Sequence, residues 1–160
     1  MKLWIVTVGR PGGGLAAAIG AYEARAARYW KLESVEVKGG APGGRRSSTD
    51  VREAEGARIL DRLPEHAEVI ALTRQGLAWS SRDLARHLDE RRLSGQEGSA
   101  FVIGGADGLA SAVLERARVR LSLSPMTLPH DLARLVLMEQ LYRAGTILRG
   151  EPYHKGGEGA

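Results

Sequence analysis

The sequence predicts an α/β fold: a mostly parallel sheet with helices on both faces. Short apolar or alternating runs recur between longer segments of helical periodicity. Glycine and proline punctuate the joints between them. A length of 160 residues fits one domain, here 1–160, and leaves little room for a second.

Taken in order, residues 2–8 are a strand candidate, and 9–14 form a glycine-rich connection. Residues 15–30 are alanine-rich and read as a helix, and 32–37 alternate like a strand with one wet face. Residues 38–48 carry four glycines, a proline and Arg45-Arg46, which reads as a basic loop. Asp50 then offers an N-cap, with Glu53 three residues on, for a helix through about Leu63. Residues 66–72 make a third strand and 73–79 a loop, after which Ser80 or Ser81 caps a helix to about Leu93. A fourth strand, 99–103, ends on Gly104-Gly105, followed by a short helix at 108–117 and a fifth strand at 119–123. A loop to Pro129 leads into the longest and most apolar helix, 130–148, and a glycine-rich tail expected to be mobile over 156–160.

Composition narrows the class. With 43% hydrophobic residues and 26% charged, the chain can bury a core, so global disorder is excluded. The absence of cysteine removes disulfides and thiolate chemistry. No apolar run approaches the roughly 18 residues of a membrane span, so a cytoplasmic protein without membrane contact is expected. Lys plus Arg number 23 against 19 Asp plus Glu, a net charge of +4, which suits a polyanion. No metal-ligand spacing joins the four histidines, so no metal is expected.

In parallel sheets ligands sit beyond the carboxyl ends of the strands, which points to the loops after residues 72, 103 and 123. Phe101-Val102-Ile103-Gly104-Gly105 ends a buried strand on paired glycines, letting a ligand approach the backbone and its amides closely. Leu123-Ser124-Pro125-Met126-Thr127-Leu128-Pro129 is an apolar, proline-restricted loop whose amides need partners. His130 and Arg134, at i and i+4, share one face at the positive end of the last helix, a corner suited to carboxylate or phosphate. Glu139 and Arg143 are another such pair, expected to be solvated, and Tyr153 could stack on a base. Each of these also has an ordinary reading, as a tight turn, a packed connection, a helix cap or a tail anchor.

Together these pieces resemble the ribosomal large subunit methyltransferase H family across essentially the whole chain. The residues that carry the likeness are Val102-Ile103-Gly104-Gly105 with Gly108-Leu109, and Leu121 to His130. Glu139-Gln140-Leu141-Tyr142-Arg143-Ala144 and Pro152-Tyr153-His154 complete it. The resemblance implies the SPOUT class, with a C-terminal trefoil knot over about 70–155 that binds S-adenosylmethionine. It implies methylation of N3 of a pseudouridine in 23S rRNA by a homodimer, one subunit's tail completing the other's site. The implied cofactor residues are Leu72, Gly104, Gly105 and Leu123 through Leu128, namely Leu123, Ser124, Pro125, Met126, Thr127 and Leu128. It implies that His130, Arg134, Tyr142, Tyr153 and His154 face the RNA or the reacting base. Apart from the resemblance, Arg45 and Arg46 on the basic 38–48 loop, which could order on RNA, and Arg143 are expected to bind the RNA.

The cofactor's methyl is already activated, so placement is the main task, with His154 or His130 as the base that removes the imide proton. Arg134 would hold phosphate or stabilise the imidate. A single +4 subunit offers few phosphate contacts, so a dimer or an assembled ribosome should supply the rest. Two alternatives remain: a SPOUT tRNA methyltransferase, and a catalytically silent RNA-binding or ribosome-assembly factor on the same fold.

Overall fold

The structure, a computed structural model, describes residues 1–43 and 47–155. Arg45, Arg46 and the 156–160 tail lie outside the described residues.

Five strands form one sheet in the order β2-β1-β4-β3-β5, and every pairing is parallel. The strands are β1 (Lys2–Val8), β2 (Lys31–Val37), β3 (Glu68–Ala78), β4 (Gly98–Ile103) and β5 (Val119–Ser122). β4 is buried throughout and β1 nearly so, because both are central and covered on two faces. The edge strand β2 keeps the wet side that its alternation predicts.

Alternate side chains enter two separate cores, as the period of two demands. Leu3, Ile5, Ile70, Phe101 and Leu121 pack under α1 (Ala16–Ala26), α3 (Ser81–Leu93) and α5 (His130–Leu148). Trp4, Val6, Val69, Ala100 and Val102 face the other way, toward α2 (Ser48–Arg62) and α4 (Ser111–Arg116). Helices therefore cover both faces. The α1–α5 packing is close, and Trp30 Nε1 donates to the Leu141 carbonyl at 2.8 Å.

Several boundaries differ from expectation. The first helix ends at Ala26, since Tyr29 and Trp30 turn back to bond the Ala26 carbonyl and Trp30 enters the core. A 3-10 turn, Gly13–Leu15, precedes it. Ser47, not Asp50, caps α2: Asp50 is the third residue of a reciprocal capping box. Ser80 and Asp83 repeat that device at α3. The α4 helix is shorter than expected. The segment 73–79, expected as a loop, runs instead largely within β3.

Candidate cofactor and active site

The extension of β3 is interrupted where it matters. Leu72 and Leu77 both stand opposite Leu121 of β5, so residues 73–76 make an excursion between them. A carbon added at Gly76 would lie 2.6 Å from the Arg120 carbonyl, so only glycine lets the strand close back on β5. The excursion puts Thr73, Arg74 and Gln75 on the wall of a cavity of about 840 Å³. The expected loop is thus a bulge, and it does the job foreseen for a loop.

The second wall follows β4. Gly108 N donates to Gly105 O at 3.0 Å, folding 104–108 into a tight turn that lines the same cavity. The reason for glycine here differs from the expected one. A carbon on Gly105 would point away from the open space, 2.9 Å from Glu55 Oε2 and 3.2 Å from Val8 Cγ1. One on Gly104 would meet the Leu109 side chain at 2.9 Å. At Gly105 the residues behind the wall forbid a side chain, and at Gly104 the cavity-lining Leu109 and Gly108 do.

Thr127, Leu128, Pro129 and His130 form the third wall. A smaller cavity of about 100 Å³ shares Leu72, Leu128 and His130 and adds Leu123, Ser124 and Met126. Pro125 is exposed on the same loop and lines neither space. Apolar side chains beside glycine backbone suit a ligand with a flat ring and polar edges.

Pro129 caps α5 without a side-chain bond. His130 Nε2 lies 2.8 Å from Asp131 Oδ1, a contact at ion-pair distance without hydrogen-bond alignment. Asp131 Oδ2 accepts from Gly12 N at 2.8 Å, docking the 9–14 connection on the helix start. Arg134 lies deeper, 5% exposed, with Nη1 3.1 Å from Glu36 Oε1 and Nη2 3.8 Å from Glu23 Oε2. Its guanidinium already has two carboxyl neighbours.

The remaining candidates gather at the other end of α5. Arg143 bonds Glu139 through Nε at 2.9 Å and lies over the Tyr153 ring, and Tyr153 donates to Glu139 Oε1 at 3.1 Å. The Glu139–Arg143 pair is therefore covered by the tail, not solvated as expected. Hydrogen bonding to Glu139 holds the Arg143 pKa up. Burial, then hydrogen bonding to Tyr22, raises that of Tyr153, so its phenol stays protonated. The Tyr142 and Tyr153 rings meet at a tilt, 4.5 Å between centroids, and Tyr142 also meets Tyr22 and Tyr29. His154 lines a separate cavity of about 560 Å³ with Arg82, Arg143 and Lys155, and its buried Nδ1 has no hydrogen-bond partner among the described residues. At about 1.5 Å per residue, Arg143 stands about 20 Å along α5 from His130. One chain does not bring His130 and His154 together.

Arg52 and Asp131 were not expected at the site, whereas Thr73-Arg74-Gln75 and Asp107 lie on the loops after residues 72 and 103 that were expected to form it, without being singled out there. Arg52 carries no sequence signal. Among the described residues no group of three or more His, Asp or Glu could hold a metal ion, and no helix is long and apolar enough to cross a membrane.

Comparison with known proteins accounts for this arrangement. The family model described as predicted SPOUT methyltransferase matches residues 1–154. The ribosomal RNA large subunit methyltransferase H of Gemmatimonas aurantiaca is 54% identical over 156 residues, covering 97% of this chain and all of that protein. Its namesake from an Anaeromyxobacter species is 49% identical, again over 97% of this chain and all of the other. Among solved structures, a probable methylase family protein from Haemophilus influenzae superposes with a TM-score of 0.53 at 14% identity, over 94% of this chain and 69% of that one, and shares the fold. With a parallel sheet, three loops converging on one cavity and full-length relatives, the chain belongs to the SPOUT methyltransferase family and, within it, to the ribosomal RNA large subunit methyltransferase H group.

Proposed function

We propose that this protein uses S-adenosylmethionine to methylate N3 of a pseudouridine in 23S rRNA of the large ribosomal subunit, in the cytoplasm. The observation that carries the reading is the cavity at the carboxyl ends of β3, β4 and β5 with His130 on its rim, in a chain 54% identical to a named large-subunit rRNA methyltransferase.

The residues fit the cofactor. About 840 Å³ lies within the roughly 300–1,000 Å³ of small-molecule sites. Leu72, Leu109 and Leu128 offer apolar surface for a purine, and the 104–108 turn offers backbone polar groups. When bound, S-adenosylmethionine supplies a methyl group on a sulfonium, already activated for transfer. Leu72, Gly104, Gly105, Thr127 and Leu128 would hold it, with Leu123, Ser124 and Met126 in the adjoining space, and the protein's main contribution is to align the acceptor nitrogen. We include the knotted arrangement of about 70–155 in this reading, within one domain.

The imide proton must leave N3. His130, on the cavity rim with the Asp131 carboxylate beside its Nε2, is the first candidate to accept it. His154 is the second candidate, contributed by the other subunit of a homodimer. Two features favour the dimer. The tail of a chain lies at the far end of α5 from its own cavity. Leu77 and Met126, near that cavity, leave large apolar side chains 60% and 75% exposed. Tyr142, Arg143 and Tyr153 then form an aromatic and cationic platform for RNA, and Arg45 and Arg46 add basic charge for the same partner.

Mass spectrometry of 23S rRNA from cells with and without the gene tests the proposal: one methyl group on one pseudouridine should disappear. Purified protein should methylate ribosomes and not tRNA. An unchanged rRNA spectrum, or transfer to tRNA alone, overturns it.

A further inference from the structure

We propose that Glu55 is a positioning residue for the methyl-transfer site, holding the 38–40 backbone and the Gly105 wall in one geometry; this rests on the cofactor reading above. Glu55 lies on α2, behind the cavity, and is 5% exposed. Its Oε1 accepts from Gly40 N at 2.9 Å. Its Oε2 is buried with no hydrogen-bond partner among the described residues. Both oxygens face Gly105: a carbon added there would lie 2.9 and 3.1 Å from them.

The neighbours on the same helix face extend the contact in both directions. Three residues on, Arg58 Nη1 donates to the carbonyls of Lys38 and Gly40 at 2.6 and 2.7 Å. Three residues before, Arg52 Nη1 donates to the Asp107 carbonyl at 3.4 Å and lines the cavity itself. Spacing of three puts all of them on one side of the helix. The middle one therefore fastens the start of the basic loop to the back of the cofactor wall. A buried carboxyl oxygen without a partner is costly, and packing alone would favour an apolar side chain here. Its position explains why it is kept: it fills the space that Gly105 leaves, and it holds Gly40 in a turn with φ of +80°.

The test is S-adenosylhomocysteine titrated calorimetrically, with Tm recorded, into wild type, Glu55→Ala, Glu55→Gln, Gly105→Ala and the double variant Glu55→Ala/Gly105→Ala. Glu55→Ala should weaken binding about tenfold through loss of the Gly40 anchor. Glu55→Gln should stay within about threefold, because its amide oxygen still accepts from Gly40 and Oε2 has no bond to lose. Gly105→Ala should weaken binding about tenfold in the wild-type background and by less than about threefold once residue 55 is alanine, since the methyl then has space. Unchanged affinity in Glu55→Ala, or the same Gly105→Ala penalty in both backgrounds, overturns the inference. If Glu55→Ala does not fold, Glu55→Asp replaces it: the shortened side chain should lose affinity that Glu55→Gln keeps, and equal affinities in the two overturn the inference. Wild type that fails to bind S-adenosylhomocysteine overturns the cofactor reading itself, a result distinct from either.

Discussion

Arg134 of α5 and Glu36 of β2 form an ion pair at 3.1 Å one helical turn beyond His130, with the arginine side chain 5% exposed. The pair ties the last helix to the sheet edge and fixes the helix turn that carries His130. Breaking a buried pair costs about 3–5 kcal/mol, and the 31% exposure of the Glu36 side chain reduces the expectation to about 2 kcal/mol. Arg134→Met should therefore lower Tm by roughly 4–8 °C in a chain of this size. Thermal unfolding checks this. A variant with unchanged Tm and weakened RNA binding would instead show Arg134 free to hold phosphate.

Separation of His130 and His154 along α5 makes a trans arrangement testable. His130→Ala and His154→Ala should each lose methyl transfer while still binding S-adenosylhomocysteine. When the two are co-expressed, random pairing gives heterodimers with one intact composite site, and activity should return to about a quarter of wild type. No recovery on mixing means that each site is built from one chain.

At alkaline pH the latch between the tail and the turn after α1 should open. The Tyr29 phenol donates to Glu151, and this bond, followed by burial, raises its pKa from 10.0 to about 12. The folded value lies above the unfolded one, so the contribution is complete below pH 10 and is lost as pH rises through 12. Wild type should be more stable than Tyr29→Phe below pH 10 and lose that margin between pH 10 and 12. A margin independent of pH would remove the latch.

Two glycines should respond in opposite senses. Gly76 presses on the β5 backbone at the excursion that shapes the cavity, so Gly76→Ala should lower Tm and cofactor affinity together. Gly20 sits within α1 with nothing within 4 Å of an added carbon. Gly20→Ala should stabilise the protein by about 1 kcal/mol and leave activity unchanged. Denaturant melts of both variants decide the matter.

Much of this protein was readable from local chemistry alone. The apolar runs at 2–8 and 99–103 and the alternation at 32–37 marked strands. The long apolar segment 130–148 was bounded correctly because Pro129 excludes helix before it. The α3 cap was narrowed to Ser80 or Ser81, since such a hydroxyl serves a backbone amide within a few residues, and Ser80 fills the role. Such signals depend only on neighbours in sequence. The course of 73–78 was not readable, because a bulge is decided by the strand it faces, and Arg120 and Leu121 are far along the chain. Nor was the fate of Arg134 or Glu55, whose partners come from other elements.

Apart from the 73–78 extension of β3, the main helices and strands, the parallel sheet and the three loops where a ligand would sit follow from local sequence, since periodicity and turn chemistry act over a few residues. Only the tertiary structure decided which charged groups remain available. It buried Arg134 between two glutamates, covered Arg143 with Tyr153 and put His154 at the far end of α5 from its own cavity. The physical reason is that a charge takes its role from whatever the fold brings within a few ångströms, and that distance is not written along the chain.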